Sequence, residues 1–315
     1  MRRTLLYSGA ESADGSVAAG SGIETMTLPT FIVIGVAKAG TTSLYRYLDE
    51  HPQIYMYRNK GTNFFGWEDA RAWRWTDEGE PPRLRHFHVK TVQDYVAAFA
   101  DAAEGMAIGE VSPQYFRSPT AAQRIREVIP DVKLVASLRN PAERAFSGFL
   151  MRTRRGEQVK SAREELTSEA SHVREGFYFT RLKRYFDAFP RDQIKVYLFE
   201  EFKRDPGRTM ADLFAFVGVD ANFTPDTAPQ YNPANVPRSR VVNRLIYHPA
   251  FIKTTKAILP PAAYSFARRV RQLNLSPPPR LRDDLRSELL EMYRDDIAKL
   301  EELLQRDLTI WREGN

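Results

Sequence analysis

Apolar residues fall along this chain in two alternating rhythms. A continuous β-branched run occurs at 31–36 (FIVIGV), apolar runs at 133–138 (KLVASL) and 195–199 (KVYLF), and a shorter one at 106–109 leading into GEVSP. Runs of that length, bounded by turn residues, predict strands covered on both faces. Between them the spacing becomes helical. In TTSLYRYLDEHP, Leu44, Tyr47 and Leu48 share one face, and His51-Pro52 marks the stop. SPTAAQRIREVIP opens on Ser-Pro and ends at Pro130, YFTRLKRYFDAF precedes the 195–199 strand, and GRTMADLFAFVG follows it. Near the end, Leu285, Leu289, Tyr293, Ile297, Leu300 and Leu304 form one apolar stripe, predicting a helix packed on the core. Strands alternating with helices predict an α/β fold with a parallel sheet flanked by helices on both faces.

Polar stretches set the organisation. Residues 1–27 include a Gly/Ser/Ala-rich run and read as a flexible leader, with one domain expected over 28–315. Helical and irregular inserts are expected at 76–86, 154–176 and 224–240, with a joint at SPPPR, 276–280. The two N-terminal arginines precede only a short apolar stretch, a poor secretion signal, and no run is long enough to span a bilayer. Cytoplasmic localisation is the default expectation.

Composition narrows the chemistry. The 315 residues include no cysteine, which excludes disulfides, thiolate metal sites and cysteine nucleophiles. The net charge of +6 suits an anionic ligand as well as it suits a plain arginine-rich surface. Nucleic acid is not expected as a partner, because no Arg/Lys tract is interleaved with aromatics.

Two segments give the anion a place. After the first strand come Gly35, four residues, then Gly40, Thr41, Thr42 and Ser43. A glycine-rich turn opening a helix lines up backbone N–H groups as an anion cradle, a P-loop-like arrangement. A nucleoside triphosphatase carries lysine after the second glycine; here Thr41 stands there, and the loop's lysine is Lys38. The second segment is SLRNPAERAFSGFL. Arg139 follows a strand, Asn140-Pro141 starts a helix, and Ser147 lies two turns in. An arginine there suits a phosphate, or a structural carboxylate. A third, NPANVPRSR at 232–240, puts Arg238 and Ser239 in an irregular loop.

Taken together, GVAKAGTTSLYRYLDEHP and SLRNPAERAFSGF resemble the sulfotransferases that use 3′-phosphoadenosine 5′-phosphosulfate (PAPS). The resemblance is to the branch holding the heparan sulfate sulfotransferases and their soluble bacterial relatives. IGEVSPQYF, NVPRSR and LEELLQRDLTIW fit the same branch, so it runs over about residues 30–312. It implies that Lys38, Ala39, Gly40, Thr41, Thr42 and Ser43 bind the 5′-phosphosulfate. It also implies that Arg139 and Ser147 bind the 3′-phosphate, with Arg238 and Ser239 closing over it. Lys38 would be the catalytic cation at the oxygen bridging phosphorus and sulfur. The implied reaction moves a sulfuryl group from PAPS to a hydroxyl or amine of a small-molecule, carbohydrate or lipid-linked acceptor. It leaves adenosine 3′,5′-bisphosphate and requires no metal.

One position departs from the pattern. The branch commonly takes its base from the glutamate of Lys-Glu-x-x-Phe-Phe, and here the segment is KGTNFF, with Lys60 and Gly61. Glu110, then His88 and His86, are the substitutes in sequence, and Lys60 is a further candidate at the sulfuryl group. Glu110 also suits a structural ion pair or a helix cap. Phe64, Phe65 and Trp67, with Trp73 and Trp75, are candidates for an acceptor pocket, although Phe64 and Phe65 suit core packing equally. The basic and apolar stretch 244–271 suits a lipid-linked acceptor or a covering subdomain. Two other readings stay open: a P-loop small-molecule kinase, with Glu200 as its acid, and a catalytically impaired PAPS-binding protein.

Overall fold

The computed structural model describes residues 3–4, 25–67, 88–157, 159–228, 235–239 and 273–312. They group into two compact units, one holding 81–138, 181–229 and the chain up to 75, the other 139–180 and 230–315. Trp73, Trp75, His86 and the 244–271 stretch lie outside the described residues.

The first unit is built on five parallel strands: β1 Phe31–Gly35, β2 Ile54–Met56, β3 Ala107–Val111, β4 Lys133–Leu138 and β5 Ile194–Leu198. Their order is β2-β3-β1-β4-β5, flanked by helices. All residues of β1 and β3 are buried, and in β4 all but Lys133. This is why these strands read as continuous apolar runs rather than alternating ones. The chain leaves β1 toward β3 and β2, and leaves β4 toward β5. Adjacent β1 and β4 therefore form a topological switch point, where open parallel sheets hold ligands beyond the strand ends.

Helix α1, Thr41–Asp49, follows β1 and buries Leu44, Tyr45, Tyr47 and Leu48. The other helices of the unit are α2 Val92–Ala97, α3 Ala121–Val128, α5 Phe179–Ala188 (from Arg181 on), α6 Phe199–Arg204 and α7 Pro206–Val217. β2 is a three-residue edge strand with no counterpart in the sequence reading, being too short for a periodicity signal.

The second unit carries α4, Pro141–Arg154, and α8, Asp283–Leu304. Asn140 caps α4 by accepting from the Ala142 and Glu143 amides at 3.0 and 3.1 Å, and donates to the Trp311 carbonyl at 2.7 Å. Buried Arg144 pairs with Glu175 and donates to the His172 carbonyl. The α8 stripe is inward over most of its length: Leu285, Leu289, Tyr293, Ile297 and Leu300 are buried, and Leu304 is half-buried. An antiparallel strand pair joins Val236–Pro237 to Leu275–Ser276 and packs against α4.

Candidate active site

The loop after β1 is gripped by β4. The Val36 amide donates to the Ser137 carbonyl at 2.9 Å, and the Ser137 hydroxyl donates to the Ala39 carbonyl at 2.6 Å. The loop therefore stands over the switch point. Gly40 takes φ 78°, and a Cβ there would meet Phe199 at 2.9 Å, so the position requires glycine on both counts. From Gly40 the chain enters α1, whose first-turn amides at Thr41, Thr42 and Ser43 have no intrahelical acceptor by geometry. No acidic residue occupies that first turn. Oriented amides, a helix N-terminus and hydroxyls thus face the same direction, an arrangement that favours a phosphate or sulfate oxygen.

Backbone strain gathers here. Among the described residues, four non-glycines adopt positive φ: Lys38 at 75°, Lys60 at 73°, Asn63 at 56° and Gln305 at 52°. Gln305 ends a helix; the other three belong to the loop and to the turn beside it. Such conformations cost of order 1 kcal/mol or more each and persist where their surroundings fix them.

That second turn, residues 57–63, is laid onto β3. The Val111 amide donates to the Lys60 carbonyl at 2.7 Å, and the Lys60 amide to the Tyr57 carbonyl at 2.8 Å. The Lys60 ammonium reaches α1, donating to the hydroxyls of Thr42 at 2.9 Å and Thr41 at 3.3 Å. Burial lowers its pKa to about 8.

Under the turn sits Glu110, in β3 and with 0 % of its surface exposed. One carboxylate oxygen accepts from the Thr62 amide (2.8 Å), the Thr62 hydroxyl (2.7 Å) and the Ser112 hydroxyl (2.8 Å). The other accepts from the phenols of Tyr95 (2.9 Å) and Tyr115 (3.0 Å). Burial, then the Glu110 charge, holds both phenols well above their usual pKa, so they stay donors. The two hydroxyls pass the order on: Ser112 accepts from the Asn63 amide at 3.1 Å and Thr62 from the Phe64 amide at 3.2 Å. The sequence expectation of Glu110 as first-choice base needs correcting. It lies inside the strand rather than past its end, and five donors fill its lone pairs away from solvent.

The acceptor-pocket expectation changes for the same reason. Phe64 and Phe65 are 4 % and 0 % exposed. Phe64 stacks on Tyr95 at 4.8 Å, and Phe65 meets Tyr95 and Tyr115 edge-on. They belong to the core over the Glu110 cluster. Trp67 is half-buried, with the Lys90 ammonium 5.0 Å from its ring centre. His88 is exposed.

Gly61 is a packing requirement. A Cβ there would lie 2.3 Å from the Val111 carbonyl oxygen and 2.5 Å from the Ser112 hydroxyl. The acid that the resemblance leads one to expect at 61 has no room while the turn rests on β3. Gly61→Ala is therefore expected to destabilise the protein by about 1–3 kcal/mol, and Gly61→Glu by no less. A thermal melt of Gly61→Ala coinciding with wild type would refute this.

In the second unit, Arg139 is half-buried; its guanidinium is 3.6 Å from the Glu143 carboxylate, and its carbonyl accepts from the Tyr178 phenol at 2.8 Å. Ser147 is buried on α4. The Arg238 amide donates to the Asn274 carbonyl at 2.7 Å and the Ser239 amide to the Asn274 side chain at 2.9 Å. Val236–Pro237 packs on α4, the helix that carries Ser147, and Arg238 and Ser239 continue the chain from that strand.

Comparison with known proteins bears on what these sites do. A family model described as the Sulfotransferase family matches residues 29–225. The chain is 32% identical over 124 residues to the membrane-associated sulfotransferase kil1 of Dictyostelium discoideum, covering 39% of this chain and 23% of that protein. It is 24% identical over 206 residues to the bifunctional heparan sulfate N-deacetylase/N-sulfotransferase 2 of Homo sapiens, covering 61% of this chain and 22% of that protein. It thus spans less than a quarter of the length of these relatives. Among solved structures, a sulfotransferase from Alicyclobacillus acidocaldarius aligns with a TM-score of 0.66 and 30% identity, over 91% of this chain and 100% of that one.

Proposed function

Because the chain belongs to the sulfotransferase family, we propose that it transfers a sulfuryl group from PAPS to a hydroxyl or amine of an acceptor. The observation that carries this reading is the loop at the β1–β4 switch point, with its cation at Lys38 in place of a lysine at 41. A kinase loop neutralises a chain of phosphates with lysine and Mg²⁺. PAPS carries one 5′-phosphate bearing sulfate, so the charge to be met appears at a single bridging oxygen.

In the proposed step the acceptor oxygen or nitrogen attacks sulfur in line, and the bond from sulfur to the bridging oxygen breaks. That oxygen leaves with the electron pair as the 5′-phosphate of adenosine 3′,5′-bisphosphate, and the acceptor's proton passes to a base. The first-turn amides of α1 and the hydroxyls of Thr41, Thr42 and Ser43 hold the non-bridging oxygens. Lys38 meets the charge on the leaving oxygen. Arg139 and Ser147 take the 3′-phosphate, with Arg238 and Ser239 added from the Val236–Pro237 strand. Glu110 acts as a positioning residue for the 60–63 turn, and the base is assigned to exposed His88. The acceptor is a small molecule, a carbohydrate or a lipid-linked sugar.

Gly61 favours a second reading, a protein that binds the donor but turns it over poorly. Adenosine 3′,5′-bisphosphate at about 100 times its dissociation constant is expected to raise the melting temperature by roughly 5 °C, whereas ATP with Mg²⁺ leaves it unchanged. The reverse pattern would replace the transferase reading with the kinase one. Bisphosphate binding without sulfate transfer across a broad acceptor panel would select the second reading.

A further inference from the structure

The turn that has glycine at 61 carries a lysine at 60, and the surroundings of that lysine are unusual. Its ammonium sits on the hydroxyls of Thr41 and Thr42, at the first turn of α1, whose amides have no intrahelical acceptor. Its partners there are neutral, and its backbone is held at φ 73° by the β3 contact and by the Glu110 cluster beneath. A lysine kept in a left-handed conformation against the phosphate-binding turn is aimed, not solvated.

We propose that Lys60 is a second cation for the sulfate-bearing phosphate of the donor and that it binds this anion together with a proton from solvent. The inference rests on the PAPS reading above and adds to it a contact and a proton linkage.

The physical reason is the cost of keeping a charge out of water without a counter-ion. Before the nucleotide arrives, burial acts on Lys60 alone and brings its pKa to about 8. Among the described residues, neighbouring charged groups are few. The loop contributes Lys38, the turn itself contributes Arg58, which pairs with Asp101 at 2.8 Å, and β3 contributes Glu110, whose oxygens are already taken. The first turn of α1 contributes only hydroxyls. A phosphate or phosphosulfate placed against that turn supplies the missing counter-ion and raises the lysine's pKa. Linkage then fixes the sign. The contribution of Lys60 to affinity is level below about pH 8, falls toward tenfold per unit above it, and levels again past the pKa of the complex. Its contribution to proton uptake on binding is near zero at pH 6.5, about one half near pH 8 and close to one at pH 9.

The test is calorimetric titration of wild type, Lys60→Arg and Lys60→Met with adenosine 3′,5′-bisphosphate between pH 6.5 and 9.5. Paired buffers of different ionisation enthalpy count the protons. Wild type should show the uptake and the fall in affinity. Lys60→Arg, charged throughout, should bind at pH 7 within a few-fold of wild type and lose both the uptake and the slope. Lys60→Met should bind about 10- to 100-fold more weakly at pH 7, also without the slope. A Lys60→Arg profile that keeps the wild-type slope and uptake overturns the role of Lys60 and leaves the donor assignment standing. A wild type that fails to bind the bisphosphate at any pH overturns the donor assignment, and this inference with it.

Discussion

Replacing Lys38 with glycine or methionine is expected to lower the rate of sulfuryl transfer by two to three orders of magnitude without unfolding the protein. A single preorganised cation or donor at a developing negative charge contributes an effect of that size. The loop supports the expectation because its two ends are anchored elsewhere. The Ser137 carbonyl and hydroxyl hold Val36 and Ala39, on either side of Lys38. The backbone makes the pair of variants informative. Lys38 has φ 75°, a conformation that glycine adopts freely and methionine does not. Lys38→Gly should therefore melt at or above the wild-type temperature, and Lys38→Met close to it, while both lose transfer. Release of sulfate from PAPS, with water as acceptor, measures the loss before the natural acceptor is identified. If either variant releases sulfate within threefold of wild type, the cation at the bridging oxygen is not Lys38.

Much of this arrangement was legible from sequence because it is local. β1, the glycine loop and α1 are contiguous, and β4 and β5 announce themselves as short apolar runs. The α8 stripe survives because a helix face is set by residues three and four apart. What was not legible depends on residues far apart in the chain. Glu110 and Thr62 are 48 positions apart, Glu110 and Tyr95 fifteen. Nothing in GEVSP says that two tyrosines, a serine and a threonine will close around its acid. Phe64 and Phe65 stayed open between pocket and core for the same reason: an aromatic pair next to a site has the same letters whether it faces a ligand or the core. Gly61 read as an absence, a missing acid, whereas the Val111 carbonyl makes it a condition for the turn. A signal was present in the spacing of Glu110 and Ser112, which places two polar side chains on the same face of a buried strand. Polar side chains so placed must find partners, and that rule points to a hub before any contact is seen.

The hub makes Glu110→Ala the substitution with the largest expected effect on stability, about 3–5 kcal/mol and a fall in melting temperature of roughly 10 °C. Truncation takes the acceptor from five buried donors; the Thr62 and Tyr115 hydroxyls, 2.9 Å apart, can turn to one another, and the others bear a desolvation cost that the carboxylate had offset. Glu110→Gln separates the two roles that the residue has been given. A general base changed to its amide would keep the fold and lose turnover. In the hub the amide turns an NH₂ group toward donors, on either the Tyr95–Tyr115 side or the Thr62–Ser112 side. Stability should then fall by about 2 kcal/mol or more whatever happens to the rate. Tyr95→Phe removes one donor and should cost about 1 kcal/mol; combined with Glu110→Ala its effect should largely vanish, because the phenol's acceptor is already gone. A Glu110→Gln protein with the wild-type melt and no transfer would restore the carboxylate to the role of base. Loss of stability instead follows from the geometry: the acid supports the lysine turn from below and the Tyr95 and Tyr115 phenols from the side, with none of its surface exposed.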